Sequence, residues 1–178
     1  MLFFNADIWR ERAWKRFQRA VRRGSMHKSV RGAEEQWFRD AIFIDKLQRI
    51  VKWCDSRKLD VVFGKRENGT YYPESKEMVI SGRAAPEKQL HYILHECGHH
   101  LIGMEEQHER FGMGYPQVDP AIRRTFNHRV ACLEEELEAW HRGRKLAGRL
   151  KLNMDMEEFD KTRLACIRSY IKWTARAK

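Results

Sequence analysis

Apolar positions recur at helical spacing through the first third of the chain, lapse into short apolar runs, and then return to helical spacing. Trp9, Ala13, Phe17, Ala20 and Val21 share one stripe with arginines elsewhere, which predicts an amphipathic helix over residues 6–23, ended by Gly24 and Ser25. A second helix is predicted over residues 33–54, with Trp37, Ile42, Ile44, Leu47, Ile50 and Val51 as its apolar positions. The period then changes. Residues 59–63 read as a strand, Glu67, Asn68 and Gly69 as a turn, and Tyr71 and Tyr72 as a short strand broken by Pro73. Residues 77–80 make a third strand, closed by Ser81 and Gly82. The three predict a small antiparallel meander.

Helical signals follow. Pro86 sits at a favoured first helical position with Glu87 behind it, and the helix runs to Ile102, where Gly103 stops it. Residues 103–118 read as a loop. Asp119 and Pro120 are a capping residue and a first-turn proline, predicting a long helix that reaches Leu150; residues 155–175 make a last one. Its packing candidates are Phe159, Ile167, Tyr170, Ile171, Trp173 and Thr174. Strands clustered between helices place the chain in the α+β class, with helices added at both ends.

A chain of 178 residues, 42% hydrophobic, suits one compact domain with an appendage. No stretch approaches the ~20 uncharged apolar residues of a membrane span. Asp7 and Arg10 cut short the opening apolar run, so no secretory signal is expected, and a cytoplasmic setting is. Cys54, Cys97, Cys132 and Cys166 form no C-x-x-C pair, which argues for buried free thiols over a zinc ribbon or a disulfide framework. The net charge of +10 is uneven. Residues 1–33 hold nine Lys and Arg against Asp7 and Glu11, a surplus of seven, so only +3 falls on the other 145. Two parts are therefore expected: a basic arm, 1–33, and a domain, 34–178. Such an arm can attract nucleic acid or an acidic partner, or simply pack its aromatics and solvate its charges.

The candidate chemistry lies in His95-Glu96-Cys97-Gly98-His99. Residues four apart share a helix face, so both imidazoles can point at one ion. Tetrahedral zinc accepts such a pair and in catalytic sites keeps a position for water. Glu96 is placed to take a proton from that water, and Gly98 permits close approach of a neighbouring segment. Leu90, Leu94, Cys97 and Leu101 make the opposite face apolar. For the third ligand, Val130, Leu133, Leu137 and Trp140 predict the buried stripe of the long helix, and Glu136 falls roughly 60° from Leu133, at its margin. Glu134, Glu135 and Glu138 read as solvated. An ordinary ion pair, for instance to Arg129, is the alternative for Glu136. His108 is the competing ligand, His91 a candidate to support the metal-facing histidines, and His100 a surface residue. His128 and Tyr115 are open candidates to stabilise an oxyanion.

These residues resemble the gluzincin metallopeptidases, with H-E-C-G-H on one helix and Glu136-Leu137-Glu138-Ala139 on the next. Among them the chain is most similar to compact ImmA/IrrE-type proteins and small metallopeptidases of tailed phages, over about residues 58–150. The resemblance implies a minimal zincin-like fold and zinc held by His95, His99 and Glu136. It implies Glu96 as the general base in hydrolysis of a protein or peptide substrate, and a strand at 77–80 bordering the cleft. It departs at Trp140, where such proteins place Asn or Asp as support for a zinc histidine. SprT-like proteases, which act near DNA, use a third histidine instead, and His108 followed by Phe111 faintly resembles them. The competing reading is a nucleic-acid-associated protein, either a protease directed to DNA or a non-catalytic binder, using the basic arm.

Overall fold

The computed structural model describes residues 2–3, 7, 10–12, 14, 15, 18, 27–64, 69–114 and 118–176. Of the predicted helix over residues 6–23, only Asp7, Arg10, Glu11, Arg12, Trp14, Lys15 and Gln18 fall within this set, and the rest of that expectation lies outside it.

The chain is mixed α/β. In order, its elements are β1 (Leu2–Phe3), α1 (His27–Asp55), β2 (Asp60–Gly64), β3 (Thr70–Tyr72), β4 (Glu77–Ser81), α2 (Pro86–Phe111), α3 (Phe126–Arg149) and α4 (Met156–Thr174). Helix α1 begins six residues before the expected start. It buries Ile44, Leu47, Ile50 and Cys54, spaced to keep one face inward, while Ile42 stays on the exposed side. Leu59 N–H bonds back to Cys54 O, with Lys58 left-handed between them, and this turns the chain into the sheet.

The sheet is not the antiparallel meander the sequence suggests. Its order is β1-β2-β4-β3. Strands β2 and β4 run parallel, with Val62 opposite Val79, while β3 and β1 are antiparallel additions at the two edges. The physical sign is in β2, where Val61, Val62 and Phe63 are all buried, a continuous apolar run that suits a central strand covered on both faces. Residues 67 and 68 of the expected turn lie outside the described residues; a tight hairpin joins Tyr72 and Glu77, which pair across a turn closed by left-handed Lys76.

Helix α2 packs most extensively on α3. The approach is close because Gly98 lies against the Ala139 main chain and Gly143 against the Leu94 carbonyl, positions where a Cβ would collide. Leu90, Ile93, Leu94 and Cys97 join Trp140, Leu146 and Phe159 in one core. Gly103 does break the helix, at φ 75°, but the chain resumes helical turns to Phe111, so the expected loop is shorter. Ile102 and Phe111 are both buried with Ala139, and the Arg142 guanidinium donates to Leu101 O, which holds the kink. Asp119 accepts from Ala121 N–H and opens only a short turn; the long helix starts after Thr125, whose hydroxyl caps His128 N–H. Asp155 caps α4 in the same way. Of the packing candidates on α4, Phe159, Ile167 and Thr174 are buried, whereas Ile171 and Trp173 are exposed. No helix among the described residues is long and apolar enough to cross a membrane.

Candidate metal centre

His95 and His99 project from the last full turns of α2 before the Gly103 kink, with ring centroids 4.7 Å apart. Helix α3 brings Glu136 to them. Its Oε2 lies 3.2 Å from His95 Nε2 and its Oε1 3.5 Å from His99 Nε2. Ligand atoms of the three residues all fall within 4.8 Å of one another, so this group can hold a metal ion. Two imidazoles facing a carboxylate through their Nε2 atoms are the right donor chemistry for a divalent cation.

Electrostatics follow from that convergence. Burial opposes charge on Glu136, but hydrogen bonds and charge from His95 and His99 hold its carboxyl far below the usual range. Burial likewise lowers the His99 pKa, yet hydrogen bonds to Glu135 and Glu136 reverse this and raise it to about 10. Glu96 behaves differently. Its side chain is buried, and desolvation raises its pKa despite the opposing pull of His95, His99 and a Tyr71 main-chain hydrogen bond. Gly69 lies directly against it, and a Cβ there would press on Glu96 Oε1 and displace that carboxylate.

The centre opens into a cavity of about 340 Å³ lined by Thr70, Tyr71, Pro73, Cys132 and Tyr170 besides the acidic and histidine groups. Strand β3, not β4, borders it. Strand β4 is interior, paired on both sides, so the expectation placed on residues 77–80 passes to the edge strand 70–72. Comparison of the chain with known families, characterised proteins and solved structures gives no match. The centre is read from its own geometry.

Two neighbours of the centre escape the sequence reading. Glu135, expected to be solvated, turns inward, and its Oε1 lies 3.1 Å from His99 Nδ1. Tyr170, expected only to pack, donates its hydroxyl to Glu136 Oε1 at 2.7 Å. The buried stripe of α3 is shifted as well: Ala131, Ala139, Trp140 and Gly143 are inside while Leu137 is exposed. That rotation carries Glu135 and Glu136 together toward α2.

The other candidates go elsewhere. His108 is exposed and outside the ligand group. His91 is buried one turn back, but its Nδ1 pairs with Thr162 Oγ1 at 2.9 Å rather than with a ligand. His100 is half-buried against Tyr71, whose hydroxyl lies 3.0 Å from Nδ1. His128 sits 3.6 Å from Cys132 Sγ, and Tyr115 lies outside the described residues. In the basic arm, Arg10 donates to Gln48 Oε1 and Trp14 meets Trp37 edge-on.

Proposed function

We propose that this chain is a zinc-dependent hydrolase of peptide bonds. One observation carries the reading: His95, His99 and Glu136 converge within 4.8 Å, with the buried carboxylate of Glu96 on the wall of the same cavity. The donor set of two imidazoles and one carboxylate suits zinc, which His95, His99 and Glu136 would hold. When bound, such an ion polarises a carbonyl and lowers the pKa of water.

The remaining chemistry belongs to the chain. Glu96 accepts the proton of the attacking water on its carboxylate and passes it to the leaving amine. Its raised pKa fits a group that must both take and release a proton. A structural metal site has no use for a buried acid in this position. Strand β3 offers its outer edge beside the cavity, where an extended peptide can add main-chain hydrogen bonds.

The test is zinc content and turnover of a quenched fluorescent peptide library by the full chain and by Glu96→Gln. The expectation is one zinc per chain in both proteins and a loss of turnover of about 10²–10⁴-fold in the variant. Undiminished turnover by Glu96→Gln removes the general base, and absence of zinc from the wild type removes the hydrolase reading altogether.

A further inference from the structure

We propose that Tyr170 is a positioning residue of this centre: its hydroxyl fixes the Glu136 carboxylate for the metal, which makes the C-terminal helix α4 part of the metal site. The inference rests on the zinc reading above and concerns a residue well beyond the H-E-x-x-H helix and its partner.

A glutamate carboxylate turns broadly about its last torsion, so a ligand held only at one oxygen samples many orientations. Here both oxygens are engaged. Oε2 faces His95, and Oε1 faces His99 and, at the shorter distance of 2.7 Å, Tyr170 Oη. The histidine contacts cannot serve once their Nε2 lone pairs are given to a cation, because a metal-bound nitrogen no longer donates a hydrogen. The phenol is a neutral donor that keeps its hydrogen in either case. It therefore remains to hold a carboxylate that burial would otherwise leave short of partners.

The donor itself is anchored. Thr174 Oγ1 contacts Tyr170 O at 2.9 Å and Arg129 O at 3.4 Å, tying the last turn of α4 to the first turns of α3. Arg129 Nη1 donates to Trp173 O at 2.6 Å, with its guanidinium over the Trp173 ring. Toward the other end of the helix, Arg144 pairs with Asp160. Helix α3 thus carries the ligand, and α4, clamped to it at both ends, carries the group that orients the ligand.

The test uses the full chain with Tyr170→Phe and Tyr170→Leu. Zinc affinity is read by competition with a chromophoric chelator, the cobalt(II) absorption spectrum reports ligand geometry, and thermal melting is followed without metal. Zinc affinity is expected to fall about 10–100-fold in Tyr170→Phe, with an altered cobalt spectrum and near-native metal-free melting. A similar fall is expected in Tyr170→Leu. Wild-type zinc affinity in Tyr170→Phe overturns the proposal, and so does a loss confined to Tyr170→Leu, which assigns the residue to packing. Lost turnover at unchanged zinc affinity also overturns it, because the hydroxyl then acts on substrate. So does a Phe variant that stays unfolded with zinc, which makes the hydroxyl a folding requirement. Failure of the wild type itself to bind zinc strikes the metal reading instead, so the two failures are distinguishable.

Discussion

Trp140 lies flat on the His95 imidazole, ring centroids 4.4 Å apart and planes 19° from parallel. The resemblance to gluzincins implies a hydrogen-bonding residue there. The structure has an aromatic plate, and His95 Nδ1 is buried with no hydrogen-bond partner among the described residues. The two histidines are thus held by different physics. His99 is oriented by a hydrogen bond from its Nδ1 side, and His95 by stacking within the core.

Trp140 is fully buried and also meets Phe159 edge-on at 5.4 Å. Trp140→Ala should therefore cost about 3–5 kcal/mol of stability, the range for emptying a large aromatic from a core. Trp140→Phe keeps a ring on His95 and should lose less stability and less zinc affinity. Urea unfolding and chelator competition on both variants check this. Equal zinc affinity in wild type and Trp140→Ala would show that stacking does not orient His95.

Glu135 calls for a milder change. Glu135→Gln retains a carbonyl oxygen to accept from His99 Nδ1–H and removes only the charge, whereas Glu135→Leu removes the acceptor. The Leu variant should bind zinc about 10–100-fold more weakly, and the Gln variant should fall between it and the wild type. Isothermal titration in the presence of a competing chelator ranks the three. A Leu variant indistinguishable from wild type would reduce Glu135 to a bystander.

The convergence of the three candidate ligands was legible because they obey helix geometry within single elements: His95 and His99 one turn apart, Glu136 at the edge of an apolar stripe. Glu135 was not, since a rotation of α3 by a fraction of a turn exchanges inward and outward carboxylates. The apolar pattern of Leu133 and Leu137 favoured a rotation that Gly143 and Ala139 override, being small enough to let α2 approach. Tyr170 was hidden for another reason. Its partner is 34 residues away, and an aromatic on an amphipathic helix reads as core. The parallel β2–β4 pair likewise depends on which strand inserts between the others, and local turn signals near Gly69 do not encode that.

The same small residues yield a stability prediction. A methyl group on Gly98 meets the Ala139 carbonyl, which is backbone and cannot swing aside. Gly98→Ala must spread α2 from α3 and should destabilise the chain by at least the ~1–3 kcal/mol typical of overpacking. The separation also moves Glu136 from His95 and His99, so zinc affinity should fall with stability. Gly148→Ala has open space around it and serves as the control, with no loss. A Gly98→Ala variant as stable as wild type would contradict the close approach of the two helices.

A pH dependence follows from His91. The ring is buried against Phe159 and paired with Thr162, and burial lowers its pKa from 6.5 to about 4 although Glu158 and Asp155 pull the other way. A group whose folded pKa is depressed contributes its stability above the unfolded pKa and loses it as pH falls through the folded one. The loss therefore runs from about pH 6.5 down to 4, and a shift of that size corresponds to roughly 3 kcal/mol. Over that window His99, with its raised pKa, stays protonated among the protein groups, and Glu136, with its depressed pKa, stays ionised. His99 therefore gives no loss on acidification, while Glu136 adds one only at the acid end, as the unfolded carboxyl nears its ordinary value of 4.5, and adds it equally to the wild type and to a His91 variant. His91→Gln can still bond Thr162 but cannot acquire charge. Denaturation midpoints of the chelator-treated proteins between pH 7 and pH 4 should fall more steeply for the wild type than for His91→Gln. Parallel curves would mean that the imidazole is not what senses acid here.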